Sequence, residues 1–163
     1  MELTIGNTIL FLATALTGIS AGLCFTWTNA VTTGIGQLDN LGYLQAFQQM
    51  NRAILNPLFF AVFFSPFFMS FAAAFLNKGH SPRLFWMTLA AAAIYSLGVV
   101  VVTILGNVPL NEILNGTNLA QSSNEELQAL RTTFEKPWNK LHFIRTISSA
   151  VSLGLLIIAG IGK

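Results

Sequence analysis

Three side chains that could take part in chemistry lie close together near the end of the sequence. Trp138, His142 and Arg145 are separated by four and three residues, a spacing that puts them on one stripe of a helix. An imidazole can accept a proton near neutral pH, a guanidinium can stabilise an oxyanion, and an indole can stack on an aromatic ring. The chemistry would therefore be proton transfer beside a stabilised anionic oxygen.

Other polar side chains lie beside the long apolar stretches of the chain. A polar group in hydrocarbon is costly when it finds no partner. Each residue has an ordinary alternative, because amides cap helix ends, Trp anchors at the headgroup level and Arg extends its charge to water. As a group on one side of the membrane they favour a binding pocket. The candidates are Trp27, Asn29, Asn51, Arg52, Asn56, Asn107, Asn111, Trp138 and Asn139.

The elements that position these residues follow from composition. Charged residues make up 9% of the 163 residues, where a soluble domain carries roughly 25%, so a water-soluble globule is excluded. A helix needs about 20 apolar residues to cross a bilayer. Four charge-poor stretches meet or approach that length and predict one integral membrane domain with the lipid bilayer as its partner. The predicted spans are residues 3–28, 57–76, 84–106 and 141–161.

The two long connections between spans also contain helical patterns. Apolar residues recur at helical spacing in 37–52 and in 122–138, so each predicts an amphipathic helix at the membrane surface. Pro137 is expected to interrupt the helix between the second of these and the fourth span. The predicted fold is all-α, a four-transmembrane-helix bundle with two additional membrane-surface helices. The repeated order of span, surface helix and span also suggests a parallel internal repeat.

The distribution of basic residues predicts the orientation. Four spans place the termini and the short connection 77–83 on one face, which carries Lys78, Arg83 and Lys163. Short loops rich in Lys and Arg stay in the cytoplasm, so cytoplasmic termini are expected. The chain has no Lys or Arg before Arg52, which favours a first span over a cleaved signal peptide.

Several classes of site are not indicated by the sequence. It contains no Walker loop, GxGxxG, CxxC, HExxH or GxSxG motif. Its two histidines fall on opposite faces of the predicted membrane and its one cysteine, Cys24, lies within the first span, so no set of three or four metal ligands is expected. No basic cluster with interleaved aromatic residues suggests nucleic acid. Neither a metal nor a nucleic-acid partner is therefore predicted.

Four segments carry a resemblance to a known family. They read FTWTNAVTTGIGQLD, FQQMNRAILNPLFF, LGNVPLNEIL and WNKLHFIRT, and together they resemble the anthrone oxygenase-like family of small four-span membrane proteins. The resemblance extends over about residues 18–148. Its most specific parts are the Asn-x-Pro-Leu-Asn motif and the Trp-to-Arg element. The positions that match are Asn29, Asn51, Asn56, Asn107, Asn111, Trp138 and Arg145.

The resemblance implies a function for the pocket. Fungal members of the family help to convert anthrones to anthraquinones with dioxygen. On that basis a phenolic ring would lose a proton to His142, Arg145 and Arg52 would stabilise the oxyanion, and Trp27 and Trp138 would stack on the ring. His142 and Arg145 are thus the expected catalytic residues. The substrate supplies the electrons, so no cofactor is expected.

A second interpretation is a non-enzymatic membrane protein. The same pocket could bind a lipid, a quinone or another amphiphile without turnover, or the protein could assemble with a partner. A transporter has less support, because four short spans without a buried acid offer little for ion coupling unless the protein forms an oligomer. The expected partners are the lipid bilayer and a hydrophobic aromatic or amphiphilic small molecule.

Overall fold

The protein is all-α, as predicted. In a computed structural model, which describes residues 4–162, the chain forms five helices and one short 3₁₀ turn, with no strand in that range. The predicted start of the first span, Leu3, lies outside the described residues. The helices are α1 (Ile5–Ile35), α2 (Asn40–Ile54), α3 (Pro57–Asn77), α4 (Pro82–Gly116) and α5 (Asn124–Ile161).

Four of the helices are long and apolar enough to cross a membrane. These are α1, α3, α4 and α5, and they carry exposed apolar side chains such as Phe11, Phe68, Leu105 and Ile157. Large apolar groups are not exposed in this density on a protein surrounded by water. The chain is a multi-pass membrane protein whose outward faces contact lipid.

The four long helices contact one another in a closed order. Helix α1 packs against α3 and α5, and α4 also packs against α3 and α5. Small side chains lie at these contacts, since Ala13, Ala73, Ala91 and Ala159 are all buried in one cluster. Small residues let helix backbones approach closely, which is the main source of attraction between helices in lipid.

Short polar residues start the helices and keep the connections between them compact. Asp39 accepts a hydrogen bond from the amide of Gly42 at the start of α2, and Ser81 accepts one from Leu84 at the start of α4. Ser123 and Glu126 form a reciprocal capping box at the start of α5. Each cap satisfies backbone groups that a helix end leaves unpaired.

The predicted second surface helix is present but is not separate from the fourth span. Both belong to α5, which continues through Pro137. A proline inside a helix removes one hydrogen bond and crowds the preceding turn. The helix nevertheless continues because Leu127, Phe134 and Trp138, on both sides of Pro137, are buried in the same cluster. Helix α2 has no such continuity with a span, and the internal repeat stays a prediction.

Two of the long helices contain π-helical turns on the side of α2. They are Trp27–Val31 in α1, and Ser96–Val101 and Thr103–Asn107 in α4. A π turn widens the helix and shifts the side chains that follow, and such turns occur frequently at functional sites. Trp27 is the first residue of the π turn in α1, and Asn107 is the last residue of the second π turn in α4.

Arg131 forms hydrogen bonds that hold the segment between α1 and α2 in place. Its guanidinium donates to the carbonyl oxygens of Gly36 and Leu38, each at 2.8 Å, and pairs with Glu135 at 2.7 Å. It also lies over the ring of Tyr43, 4.5 Å from the centroid. One side chain of α5 thus satisfies the carbonyls at the end of α1 and covers the aromatic cluster on α2.

We expect Arg131→Met to destabilise the protein by about 3 kcal/mol, because hydrogen bonds to charged groups are each worth roughly 1.5–3 kcal/mol. The measurement is the midpoint of thermal unfolding in detergent. Lys136→Met is the matched control, since Lys136 is an exposed cation on the same helix. An equal, small change in both variants would show that Arg131 does not hold this connection.

Candidate functional site

A cavity of about 270 Å³ lies on the side of the molecule that carries α2. All five helices contribute side chains to it. Its wall is largely aromatic and aliphatic. Its polar groups are amides, one imidazole, two guanidinium groups, one thiol, one hydroxyl and the carboxylate of Glu112. The apolar lining includes Trp27, Phe59, Phe60, Phe63, Phe64, Ile104 and Trp138.

Eight of the eleven predicted site residues line this cavity. They come from four different helices, and the packing of α1, α2, α4 and α5 brings the four groups together. The eight are Trp27, Asn51, Arg52, Asn107, Asn111, Trp138, His142 and Arg145.

Three predicted residues do not line the cavity. Asn29 is exposed on α1. Asn56 caps α3, since its side chain accepts from the amide of Phe59 at 3.0 Å and donates to the carbonyl of Ala53 at 3.0 Å. Asn139 follows Trp138 directly, and neighbouring residues of a helix point about 100° apart. The structure does not bring these three amides to the site.

His142 is held in one tautomer by its neighbours. The ring is buried, and its Nε2 lies 3.1 Å from the carbonyl oxygen of Cys24. A carbonyl only accepts hydrogen bonds, so Nε2 carries the proton in the neutral ring. Nδ1 is buried and has no hydrogen-bond partner in the protein. His142 therefore keeps an unshared lone pair that can accept a proton.

Trp138 fixes the plane of the imidazole. The two rings are stacked with centroids 4.8 Å apart and planes 15° apart. The indole Nε1 donates to Asn111 Oδ1 at 2.8 Å, and Asn107 Nδ2 donates to the Trp138 carbonyl at 3.3 Å. Two amides of the Asn-x-Pro-Leu-Asn motif thus position the indole, which in turn positions His142.

A second indole lies against the first. Trp27 is 5.6 Å from Trp138 and 6.2 Å from His142, measured between ring centroids. Behind these rings, Phe47 of α2 contacts both indoles edge-on, at 5.7 Å from Trp27 and 4.7 Å from Trp138. Helix α2 therefore supports this end of the site by aromatic packing, and its Asn51 and Arg52 also line the cavity.

Arg145 brings a positive charge into this apolar setting. Its side chain is 9% exposed, and its Nε has no hydrogen-bond partner. The only ion pair among residues 4–162 is Arg131 with Glu135, so no described carboxylate neutralises Arg145. Its neighbours are the thiol of Cys24 and the ring of Phe63, whose centroid lies 5.9 Å from Cζ. Buried charges are normally paired, and an unpaired guanidinium beside a cavity favours an anionic ligand group.

Sequence reasoning missed the aromatic wall that α3 contributes to the cavity. The phenylalanines of α3 were not among the predicted site residues, yet Phe59, Phe60, Phe63 and Phe64 all line the cavity. Their spacing of one, three and one residues marks one broad face of a helix. That spacing was the available signal. Cys24 was also missed, and nothing in its sequence context distinguishes it from other residues of the first span.

The described residues contain no group suited to hold a metal ion. Within residues 4–162, no three His, Cys, Asp or Glu side chains lie together. The donors present at the cavity are one imidazole, one thiol and the carboxylate of Glu112, and the last of these is exposed.

Comparison with known proteins identifies the family. The family model described as anthrone oxygenase matches residues 57–155, which is more than half of the chain and includes α3, α4 and most of α5. The chain belongs to this family. The match includes Asn107, Asn111, Trp138, His142 and Arg145, whereas Trp27 and Asn51 lie before it. No curated protein and no solved structure matches the chain.

Proposed function

We propose that this membrane protein is a cofactor-independent oxygenase that uses dioxygen to oxidise an electron-rich aromatic or quinol-type substrate. The observation that carries the proposal is the pairing of two groups in one cavity. His142 has a buried lone pair without a partner, and Arg145 has a buried charge without a counterion. A base beside a cation is what a reaction through an enolate or phenolate requires.

The walls of the cavity suit a planar ring. Phe59 and Phe63 of α3 stack on each other at 5.3 Å, and the indoles of Trp27 and Trp138 contribute further aromatic surface to the lining. Aromatic rings bind between such surfaces with offset or edge-on geometry. Asn51 Nδ2 is buried and has no partner in the protein, so it can donate a hydrogen bond to a ligand oxygen.

The first chemical step would be loss of a proton. For an anthrone, the CH₂ carbon opposite the carbonyl gives a proton to Nδ1 of His142, and the electron pair of that C–H bond delocalises onto the carbonyl oxygen. His142 becomes an imidazolium that still donates from Nε2 to the Cys24 carbonyl. The enolate oxygen gains negative charge, which the guanidinium of Arg145 stabilises.

The remaining steps require no added reductant, because the substrate supplies all the electrons. The enolate transfers one electron to dioxygen, and the resulting radical and superoxide combine to form a C–O bond. A proton from His142 gives the hydroperoxide. Loss of the remaining proton at that carbon, with cleavage of the O–O bond, gives a second carbonyl and releases water. One anthrone and one dioxygen thus give one anthraquinone and one water, with all electrons supplied by the substrate.

The test is oxygen consumption by purified protein in liposomes. With an anthrone as substrate, we expect uptake faster than the spontaneous oxidation in empty liposomes, with one anthraquinone formed per dioxygen consumed. Labelled dioxygen should leave one labelled oxygen atom in the product. Uptake equal to that of empty liposomes, with a panel of anthrones and hydroquinones, would contradict the enzymatic proposal.

A second candidate is a binding protein that does not turn its ligand over. The apolar side chains at the opening of the cavity, Leu55 and Phe60 among them, are exposed, which suits an amphiphile held at the membrane surface. In that case Arg145 would bind an anionic headgroup and His142 would only donate or accept a hydrogen bond. The lipid extract of the purified protein, analysed by mass spectrometry, would then contain a bound amphiphile while oxygen uptake stays at background.

A further inference from the structure

We propose that the cavity opens sideways into the bilayer between α3 and α4, and that its substrate is an amphiphile whose oxygen-bearing ring lies at Arg145 while an apolar chain leaves through this opening. The inference rests on the proposed function, because it assumes that the ring is the reacting part. It adds the route of the substrate and its chemical class.

The opening is bordered by apolar side chains from both helices. Phe60 at the start of α3 is 44% exposed and Ile104 of α4 is 49% exposed, and both also line the cavity. Leu55, which precedes α3, and Val108 of α4 are also both exposed and part of the cavity lining. On helices that cross a membrane, exposed apolar side chains contact lipid, so this border joins the cavity to the hydrocarbon.

The polar border of the cavity differs from the apolar one, because a side-chain hydrogen bond joins two helices across it. Arg52 of α2 donates from Nε to Asn115 Oδ1 of α4 at 2.8 Å, and Glu112 lies beside this bridge in the lining. This exposed hydrogen bond joins α2 to α4, and both of its residues also line the cavity. Because this bridge links the two helices on the polar border, we infer that a ligand enters past the apolar side chains of α3 and α4 instead.

The separation of α3 from α4 has a local cause. The two helices are in contact along Pro82–Tyr95 and Ser96–Val101 of α4. The cavity lies beyond that contact, where Phe59 to Phe64 faces the second π turn, Thr103–Asn107. Two successive π turns shift the direction of α4 at this level, which leaves room between the helices for a chain to pass.

The size of the cavity explains why a chain would project from it. Its volume of about 270 Å³ is just below the usual range of ligand pockets, which is roughly 300–1,000 Å³. A ring system fills that space, so a longer hydrocarbon substituent must lie outside. The charge of Arg145 at the inner end and the apolar border at the outer end match the polarity of such a molecule.

The experiment compares two benzohydroquinones with the same ring, one carrying a decyl chain and one a methyl group. Their binding to the protein in liposomes is measured with each concentration expressed per volume of bilayer. The double variant Ile104→Phe/Val108→Phe, called the mouth variant, adds two aromatic rings to the apolar border of the opening. The matched control is Leu105→Phe, because Leu105 is exposed on the same helix but does not line the cavity.

In the mouth variant we expect the decyl compound to bind about tenfold more weakly, the size of effect that steric crowding of a packed site produces. The methyl compound should change by less than about twofold, and the control should match the wild type for both. Retained methyl binding also shows that the variant is folded. If the two compounds are affected equally, or not at all, the sideways opening is wrong although ring binding at Arg145 can stand. If neither compound binds to the wild type, the amphiphile proposal fails, and the oxygenase proposal is decided by the anthrone-dependent oxygen uptake.

Discussion

Replacing His142 with Phe is expected to lower the rate of anthrone-dependent oxygen uptake by about a hundredfold or more, since a positioned general base contributes roughly 10²–10⁴ to a rate. The phenyl ring preserves the stacking area on Trp138 and removes the lone pair at Nδ1. Substrate binding should change little, because the walls of the cavity remain aromatic. The measurement is kcat for oxygen uptake in liposomes, corrected for spontaneous oxidation.

Two further variants separate proton transfer from positioning. His142→Gln keeps a donor that can reach the Cys24 carbonyl but supplies no base of suitable strength, so it should be as inactive as the Phe variant. His80→Phe changes the other histidine, which is exposed in the connection between α3 and α4, and should be fully active. If His142→Gln retained most of the wild-type kcat, the histidine would only hold the backbone of α1, and another base would be required.

The positions of the long helices could be predicted from composition, because in a membrane the absence of charge over about 20 residues determines which segments span. The ends of the helices were harder to predict from the sequence. The sequence of α5 contains Pro137, and a rule based on the helix alone predicts an interruption there. The burial of Phe134 and Trp138 in one cluster outweighs that local cost, and such tertiary contacts cannot be obtained from one segment of sequence.

The candidate site was partly predictable for a similar reason. Trp138, His142 and Arg145 share a helix, so their spacing alone places them together. Bringing Trp27, Asn51 and Asn107 to the same cavity depends on how three other helices pack, and sequence could only group them by side of the membrane. Asn56 was grouped with them although it caps α3. An amide near a helix end can either cap the helix or line a binding site, and only its contacts distinguish these two roles.

Arg145→Met is expected to have opposite effects on stability and turnover. A buried charge without a counterion costs free energy, and replacing buried ionic groups with apolar ones of similar volume often stabilises a protein by about 1–4 kcal/mol. Methionine fits beside Phe63 and Cys24 and needs no partner. The midpoint of thermal unfolding in detergent should therefore rise. Oxygen uptake should fall by about 10²–10³, the usual loss when one oxyanion-stabilising group is removed.

The combination of the two effects identifies the role of the charge. A structural arginine would show the reverse pattern, with lower stability and uptake reduced only in proportion to the folded fraction. Arg145→Lys keeps a positive charge without the planar, two-pronged donor, so we expect it to recover part of the lost uptake but not the gain in stability. Arg83→Met, at the exposed start of α4, should leave uptake unchanged. A destabilised Arg145→Met variant with wild-type kcat per folded molecule would exclude Arg145 from the reaction. The charge would then stabilise the fold and would not stabilise the enolate.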